Sequence, residues 1–156
     1  MTPAINAAKK AGIGYTVHKY DHDPAADSYG REASEKLGLD PERVFKTLVV
    51  SVDAGHLVVA VLPVSTMLSM KLVADAVGGK KAAMADRDKV QRSSGYVLGG
   101  VSPLGQKRPL QTVIDSSARQ FDTVFVSAGR RGLEIELAPG DLARLTGGQF
   151  ADLRQL

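Results

Sequence analysis

Two periodicities alternate along this 156-residue chain, and they place its elements. Thr2 followed by Pro3 reads as an N-cap and first helical position, and predicts a helix to about Ala11 that stops at Gly12. Tyr15 to Tyr20 alternates and is rich in β-formers, so it predicts a strand. Asp21 to Ser28 is polar and holds Pro24, the pattern of a loop, and a helix over Tyr29–Leu37 follows, closed by Gly38. Val44–Val52 and His56–Leu62 are strongly apolar strand patterns, joined by Asp53-Ala54-Gly55 as a hairpin. Ser69 caps a helix to Val77, ended by Gly78-Gly79. Lys80–Met84 predicts a short strand, and Asp86 caps a helix to about Arg92. Strands are expected near Thr112–Asp115, Thr123–Ser127 and Leu133–Leu137, then a helix over Pro139–Leu145 and a last strand over Phe150–Leu153. Helices and strands interleave, and several strands have hairpin-length links. The expectation is one α+β domain over residues 1–156 with a mixed sheet.

Composition narrows the chemistry more than the fold. Apolar residues make up 44% and charged residues 24%, ordinary for a globular chain. Cysteine is absent, which excludes disulfides, a thiolate-held zinc and a cysteine nucleophile, and fits a reducing cytosol. No apolar run is long enough to span a membrane, and the first residues lack the pattern of a secretion signal. The net charge of +3 permits contact with a polyanion without demanding it. The basic pairs Lys9-Lys10, Lys80-Lys81, Lys107-Arg108 and Arg130-Arg131 are each either phosphate contacts or solvated surface.

The stretch from Gly95 to Lys107 turns from a short apolar run into a loop with Gly99, Gly100, Ser102, Pro103 and Gly105. Glycines let backbone approach a ligand and leave N–H groups unshielded, as an oxyanion or phosphate cradle needs. The same residues also make an ordinary tight turn, and they do not match a dinucleotide or P-loop pattern. Lys46 sits on the same strand face as Val44, Leu48 and Val50. An ammonium there faces a cavity or a partner, or else marks an exposed strand end. Tyr20 and Tyr29 flank the polar loop, placed either to close a pocket or as half-buried aromatics. Glu134 and Glu136 share one face of their strand, as an acid and base pair, as metal ligands or as a solvent face. The three histidines fit no zinc pattern, and neither Ser102 nor Ser127 sits in a nucleophile elbow. No metal is expected.

Taken together, Val44-Phe-Lys46-Thr-Leu-Val-Val50, Gly99-Gly-Val-Ser-Pro-Leu-Gly105 and Ser127-Ala-Gly-Arg-Arg-Gly-Leu-Glu134-Ile-Glu-Leu137 resemble the YbaK/EbsC family. These proteins are free-standing relatives of the editing domain of bacterial prolyl-tRNA synthetase. The match runs in order through nearly the whole chain. The resemblance implies a mixed, strongly curved β-sheet flanked by helices. It implies a cytoplasmic deacylase that clears mischarged Cys-tRNA(Pro) beside prolyl-tRNA synthetase, without cofactor. A monomer is expected from the lack of heptads or an apolar stripe. The cysteine thiol of the substrate attacks its own ester, so no protein nucleophile is needed. By the resemblance, Lys46 holds the terminal adenosine or eases charge at the ester. Gly99 and Gly100 offer N–H groups to the oxyanion, and Tyr20, Tyr29, Ser127 and Glu134 line the aminoacyl pocket. Glu134 departs from the aspartate of the family pattern. The alternatives are an Ala-tRNA(Pro) deacylase and a non-catalytic module that binds tRNA or synthetase.

Overall fold

The computed structural model describes residues 1–26 and 29–155, apart from the side chain of Tyr29. Helix α1 spans Pro3–Ala11; the Thr2 hydroxyl accepts the Ile5 N–H at 3.2 Å, and Gly12 closes the helix at φ 71°. Strand β1 (Tyr15–Lys19) and helix α2 (Tyr29–Leu37) follow. The hairpin of β2 (Phe45–Val52) and β3 (His56–Pro63) turns through Asp53 and Ala54, both at positive φ (50° and 60°). Helix α3 (Met70–Ala76), strand β4 (Ala82–Met84) and helix α4 (Arg87–Ser94) lead to the glycine loop. After it come β5 (Gln111–Asp115), a 3-10 turn, β6 (Val124–Arg130), β7 (Leu133–Leu137), α5 (Pro139–Thr146) and β8 (Gln149–Ala151).

The strands form two sheets rather than the one expected. The first has the order β1-β7-β6 and is antiparallel throughout. The second has the order β4-β2-β3-β5-β8 and is mixed, with β5 parallel to both β3 and β8. Among the described residues one bridge joins the backbones of the two sheets. Val44 bridges Phe125 in a parallel sense, and the Phe125 N–H donates to the Arg43 carbonyl at 3.0 Å. Beyond that bridge β2 and β6 part, so a continuous sheet is not formed.

The period-two pattern of β2 and β3 explains why both their faces are covered. Phe45, Val49, Val59 and Val61 pack toward α1 and the first sheet, with Ile135 and Leu137. Val50, Val52, Val58, Ala60 and Leu62 pack with Val73 and Ala74 of α3. A third cluster, Ala33, Val44, Val64 and Phe125, seats α2 on the junction of the sheets. Each such aliphatic side chain contributes about 1.5–3 kcal/mol by leaving water.

Candidate functional site

The parting of β2 from β6 opens a wedge, and the site is built in it. β2 bonds to β3 through its even residues, as Val64 N–H to the Val44 carbonyl (2.8 Å) shows. Its odd residues therefore direct their N–H and C=O to the other edge. There β6 takes the Arg43 carbonyl, and Ala85, just beyond β4, takes that of Val49. Between them no strand among the described residues pairs with this edge. The backbone of Thr47 faces a cavity of about 290 Å³ lined by Tyr20, Gly30, Phe45, Lys46, Thr47, Leu48, Leu98, Gly99, Val101, Ser127, Arg130 and Glu134.

The opposite wall depends on a bulge. Ser127 opposes Glu134 across β6 and β7, but Arg130 opposes Leu133, so Ala128 and Gly129 are extra. Gly129 sits at φ +107°, and a Cβ there would lie 2.8 Å from the Tyr96 ring. The Thr2 hydroxyl donates to the Ala128 carbonyl and ties the bulge to the start of α1. The bulge brings Arg130 to the cavity rim. The glycine loop is held as firmly. Tyr96 Oη donates to the Leu104 carbonyl (2.7 Å), Gln106 Nε2 to that of Ser102 (3.0 Å), and Arg131 Nη2 to that of Leu98 (2.9 Å). Ser102 Oγ accepts the Leu104 N–H at 3.2 Å, a turn role.

Charge inside the wedge is sparse. Lys46 Nζ donates to the Thr66 carbonyl at 2.5 Å, and no carboxylate among the described residues forms an ion pair with it. Burial, and then the Arg31 guanidinium, hold its ammonium below the usual lysine range. Glu134 is only 6% exposed, and burial pushes its carboxyl up to about 8. Burial also raises the Tyr20 phenol; its bond with the Gly132 backbone opposes this, and the charges of Glu134 and Glu32 add to it. A neutral carboxyl, a phenol and a half-buried ammonium thus surround a mostly apolar floor, where hydrogen bonds to a bound ester act at low dielectric.

Tyr20, Lys46, Gly99, Ser127 and Glu134 of the expected site converge on this cavity. Lys46 is therefore a cavity lysine and not a strand-end gatekeeper. Tyr29 begins α2, but its side chain lies outside the described residues. Two expectations are corrected. Gly100 does not offer an oxyanion donor, because its N–H is given to the Val97 carbonyl at 3.0 Å. It is glycine because a Cβ would lie 2.9 Å from the Arg130 Cα. The Glu134–Glu136 face is not a solvent face, since Glu134 lies in the cavity wall with Tyr20, Gly30, Lys46 and Ser127. Glu134 is buried, and Glu136 is engaged by His18 Nε2 (2.9 Å), Thr123 Oγ1 (2.6 Å) and Arg43 Nη2 (3.8 Å).

Residues 22–145 match the family model of the aminoacyl-tRNA editing domain. The chain belongs to that family. It is 42% identical over 153 residues to a protein of Enterococcus faecalis named "Putative Cys-tRNA(Pro)/Cys-tRNA(Cys) deacylase EbsC", covering 97% of this chain and 92% of that one. A proline–tRNA ligase of Pelobacter propionicus shares 26% identity over 121 residues, which is 77% of this chain and 21% of the ligase. A solved "putative trans-editing enzyme for prolyl tRNA synthetase" superposes with a TM-score of 0.85 at 25% identity, covering 99% of this chain and 96% of that one. The YbaK/EbsC resemblance and its α+β fold are thereby shown.

Some parts of this editing domain escape sequence reasoning. Thr47 lines the cavity, and its Oγ1 is buried without a hydrogen-bond partner. The signal was available, as a threonine beside Lys46 inside an apolar strand. Gly30 also lines the cavity; a Cβ there would lie 2.4 Å from Val64 Cγ1, so α2 packs directly on the end of β3. His22 pairs with the buried Glu32 at 2.6 Å, whose other oxygen accepts the Asp23 N–H at 2.7 Å. That pair fixes the loop after Tyr20 to α2, and nothing local in the sequence announces it.

Proposed function

We propose that this chain is a trans-editing deacylase that clears mischarged Cys-tRNA(Pro), with the cavity beside Lys46 as its aminoacyl site. The observation that carries the reading is the cavity itself. It is small and partly apolar, and among the described residues Lys46 has no carboxylate partner there and no activated serine, threonine or cysteine nucleophile lines it. Ser127 Oγ accepts the Gly129 N–H at 3.2 Å and has no histidine base within bonding reach. A pocket that positions without attacking suits a substrate that carries its own nucleophile.

In this reading the cysteine sulfur attacks its own ester carbonyl. A C–S bond forms, the bond from the carbonyl carbon to the ribose oxygen breaks, and the thiol proton passes to the departing ribose hydroxyl. The thiolactone then opens in water. Thiols ionise near pH ~8.5, and holding sulfur and carbonyl together removes much of the entropic cost. Lys46 and the Gly99 N–H stabilise developing oxyanion charge, while Tyr20, Ser127 and Glu134 orient the aminoacyl group. The unit acts as one domain, residues 1–156, as a monomer in the cytoplasm beside prolyl-tRNA synthetase, which supplies the mischarged tRNA. Similar size makes cysteine a recurrent error for a proline site, because binding alone discriminates weakly at that scale.

The test is parallel hydrolysis of Cys-tRNA(Pro), S-methyl-Cys-tRNA(Pro) and Ala-tRNA(Pro). The expected result is rapid loss of the cysteinyl ester alone. Cleavage of the S-methyl ester at the same rate would overturn thiol attack. Preferential loss of the alanyl ester would assign the chain to alanine editing. No cleavage of any ester, with synthetase present, would remove the deacylase reading.

A further inference from the structure

A second, more polar cavity of about 430 Å³ adjoins the first and shares Tyr20 and Arg130 with it. Its rim carries Lys19, Arg130 and Arg131, all exposed, against one exposed carboxylate, Asp21. Its floor is backbone: the Tyr20 N–H donates to the Gly132 carbonyl at 3.0 Å, and a Cβ on Gly132 would lie 2.8 Å from the Tyr20 carbonyl. Glycine here lets the β6–β7 turn approach the backbone just beyond β1 closely enough to bond it. Arg131 is not a loose surface arginine, since Nη2 is anchored on the Leu98 carbonyl across the mouth of the first cavity. Lys19 alternates outward on the edge strand β1.

We infer that this groove is the track for the single-stranded 3′ end of the tRNA acceptor, with Lys19, Arg130 and Arg131 taking the phosphates that precede the terminal adenosine. The inference rests on the ester site proposed above, because it names where the nucleotide chain leaves that site. Three lines support it. The groove adjoins the ester cavity at Tyr20 and Arg130, so it is the neighbouring surface for a chain tethered there at its 3′ hydroxyl. Three cations against one carboxylate complement a strand with one negative charge per phosphate. The groove is lined by backbone, cations and an aromatic, a lining suited to single-stranded RNA, which is gripped at its phosphates with stacking on an aromatic, here Tyr20. A duplex does not match an opening that shares a wall with a cavity of about 290 Å³.

The test is binding of an uncharged RNA hairpin carrying the acceptor stem and a single-stranded CCA end, read by fluorescence anisotropy over a salt series. The variants are Lys19→Ala, Arg131→Ala and the pair; Lys9→Ala/Lys10→Ala, at the end of α1, is the control. Each single groove variant is expected to weaken binding several-fold and to lower the slope of log affinity against log salt by about 0.7, and the pair by about 1.4. The control keeps affinity, and a blunt hairpin without the single-stranded end binds weakly and ignores the groove changes. Equal loss in the control, unchanged slopes, or the same dependence with the blunt hairpin would overturn the track. Circular dichroism on each variant separates lost contact from lost fold. Binding needs no ester cleavage, so a wild type that binds through the groove yet cleaves nothing would fail the deacylase reading and leave the track standing.

Discussion

Ser127 and Glu134 face each other across the β6–β7 ladder, one step before the bulge, and His18 faces Glu134 from the β1 side. No side chain among the described residues bonds or pairs with the Glu134 carboxyl, and burial raises it from 4.5 to about 8. The native chain therefore keeps this proton up to about pH 8, while the unfolded chain releases it near the ordinary glutamate value. Between those limits the unfolded state binds fewer protons, so stability falls as pH rises. The loss is on the order of 3–5 kcal/mol across the window. Glu134→Gln removes the titration. Urea unfolding at pH 5 and pH 8.5 should show the wild type losing stability between the two, with the variant nearly level. Parallel behaviour of both proteins would contradict the raised value.

Lys46→Ala should abolish most of the proposed ester cleavage, by about 10²-fold or more in kcat, if the ammonium stabilises charge that develops in the reaction. Lys46→Arg should not restore it, because a planar fork does not replace a point charge bonded to the Thr66 carbonyl. Thermal melts should place both variants within a few degrees of wild type, since Lys46 is only half-buried. Single-turnover rates on Cys-tRNA(Pro) are the readout.

Gly100→Ala tests whether the glycine loop is packed or merely flexible. The new methyl would meet the Arg130 backbone at 2.9 Å, and backbone cannot swing aside as a side-chain tip does. The expected cost is about 1–3 kcal/mol. That is roughly 2–12 °C in Tm for a chain of this size. A melt unchanged within a degree would show that the loop shifts freely.

Much of the molecule is written locally. The helix over Tyr29–Leu37 and the strand over Leu133–Leu137 form with the ends their periodicity predicts, because caps, glycines and alternation act within a few residues. Lys46 stands out as one charge in an apolar strand, and the cavity explains it. What the chain hides is long-range. The division into two sheets follows from one bridge, Val44 to Phe125, between residues 81 positions apart. The burial of Glu134 is long-range too, because Tyr20, Gly30 and Lys46, distant in the chain, share the cavity wall with it. The His18–Glu136 and His22–Glu32 pairs join separate elements, so neither shows as a spacing. Gly100 misleads for a local reason: paired glycines look alike in sequence, yet one faces the cavity and the other gives its N–H to Val97.

Thr47 is where stability and function should separate. Its Oγ1 is buried with no partner, although buried hydroxyls are nearly always bonded. Its backbone lies on the open edge of β2, in the wall of the cavity. An unpaired hydroxyl in that place costs stability, and a bound aminoacyl group would supply the partner if the side chain turned toward it. Thr47→Val keeps the shape and removes the hydroxyl. Stability should then rise by about 1 kcal/mol, because an unsatisfied group is gone from the native state. Cleavage of the aminoacyl ester should fall about 2- to 13-fold if the hydroxyl bonds the substrate, since one hydrogen bond contributes about 0.5–1.5 kcal/mol. Thr47→Ser should recover activity and not the gain in stability. A higher Tm with full activity would make Thr47 a packing residue with a stray hydroxyl. A lower Tm would mean that the hydroxyl is already bonded, by water or by a neighbour that moves. The crossed outcome, more stable and less active, is the signature of a residue kept for what it binds.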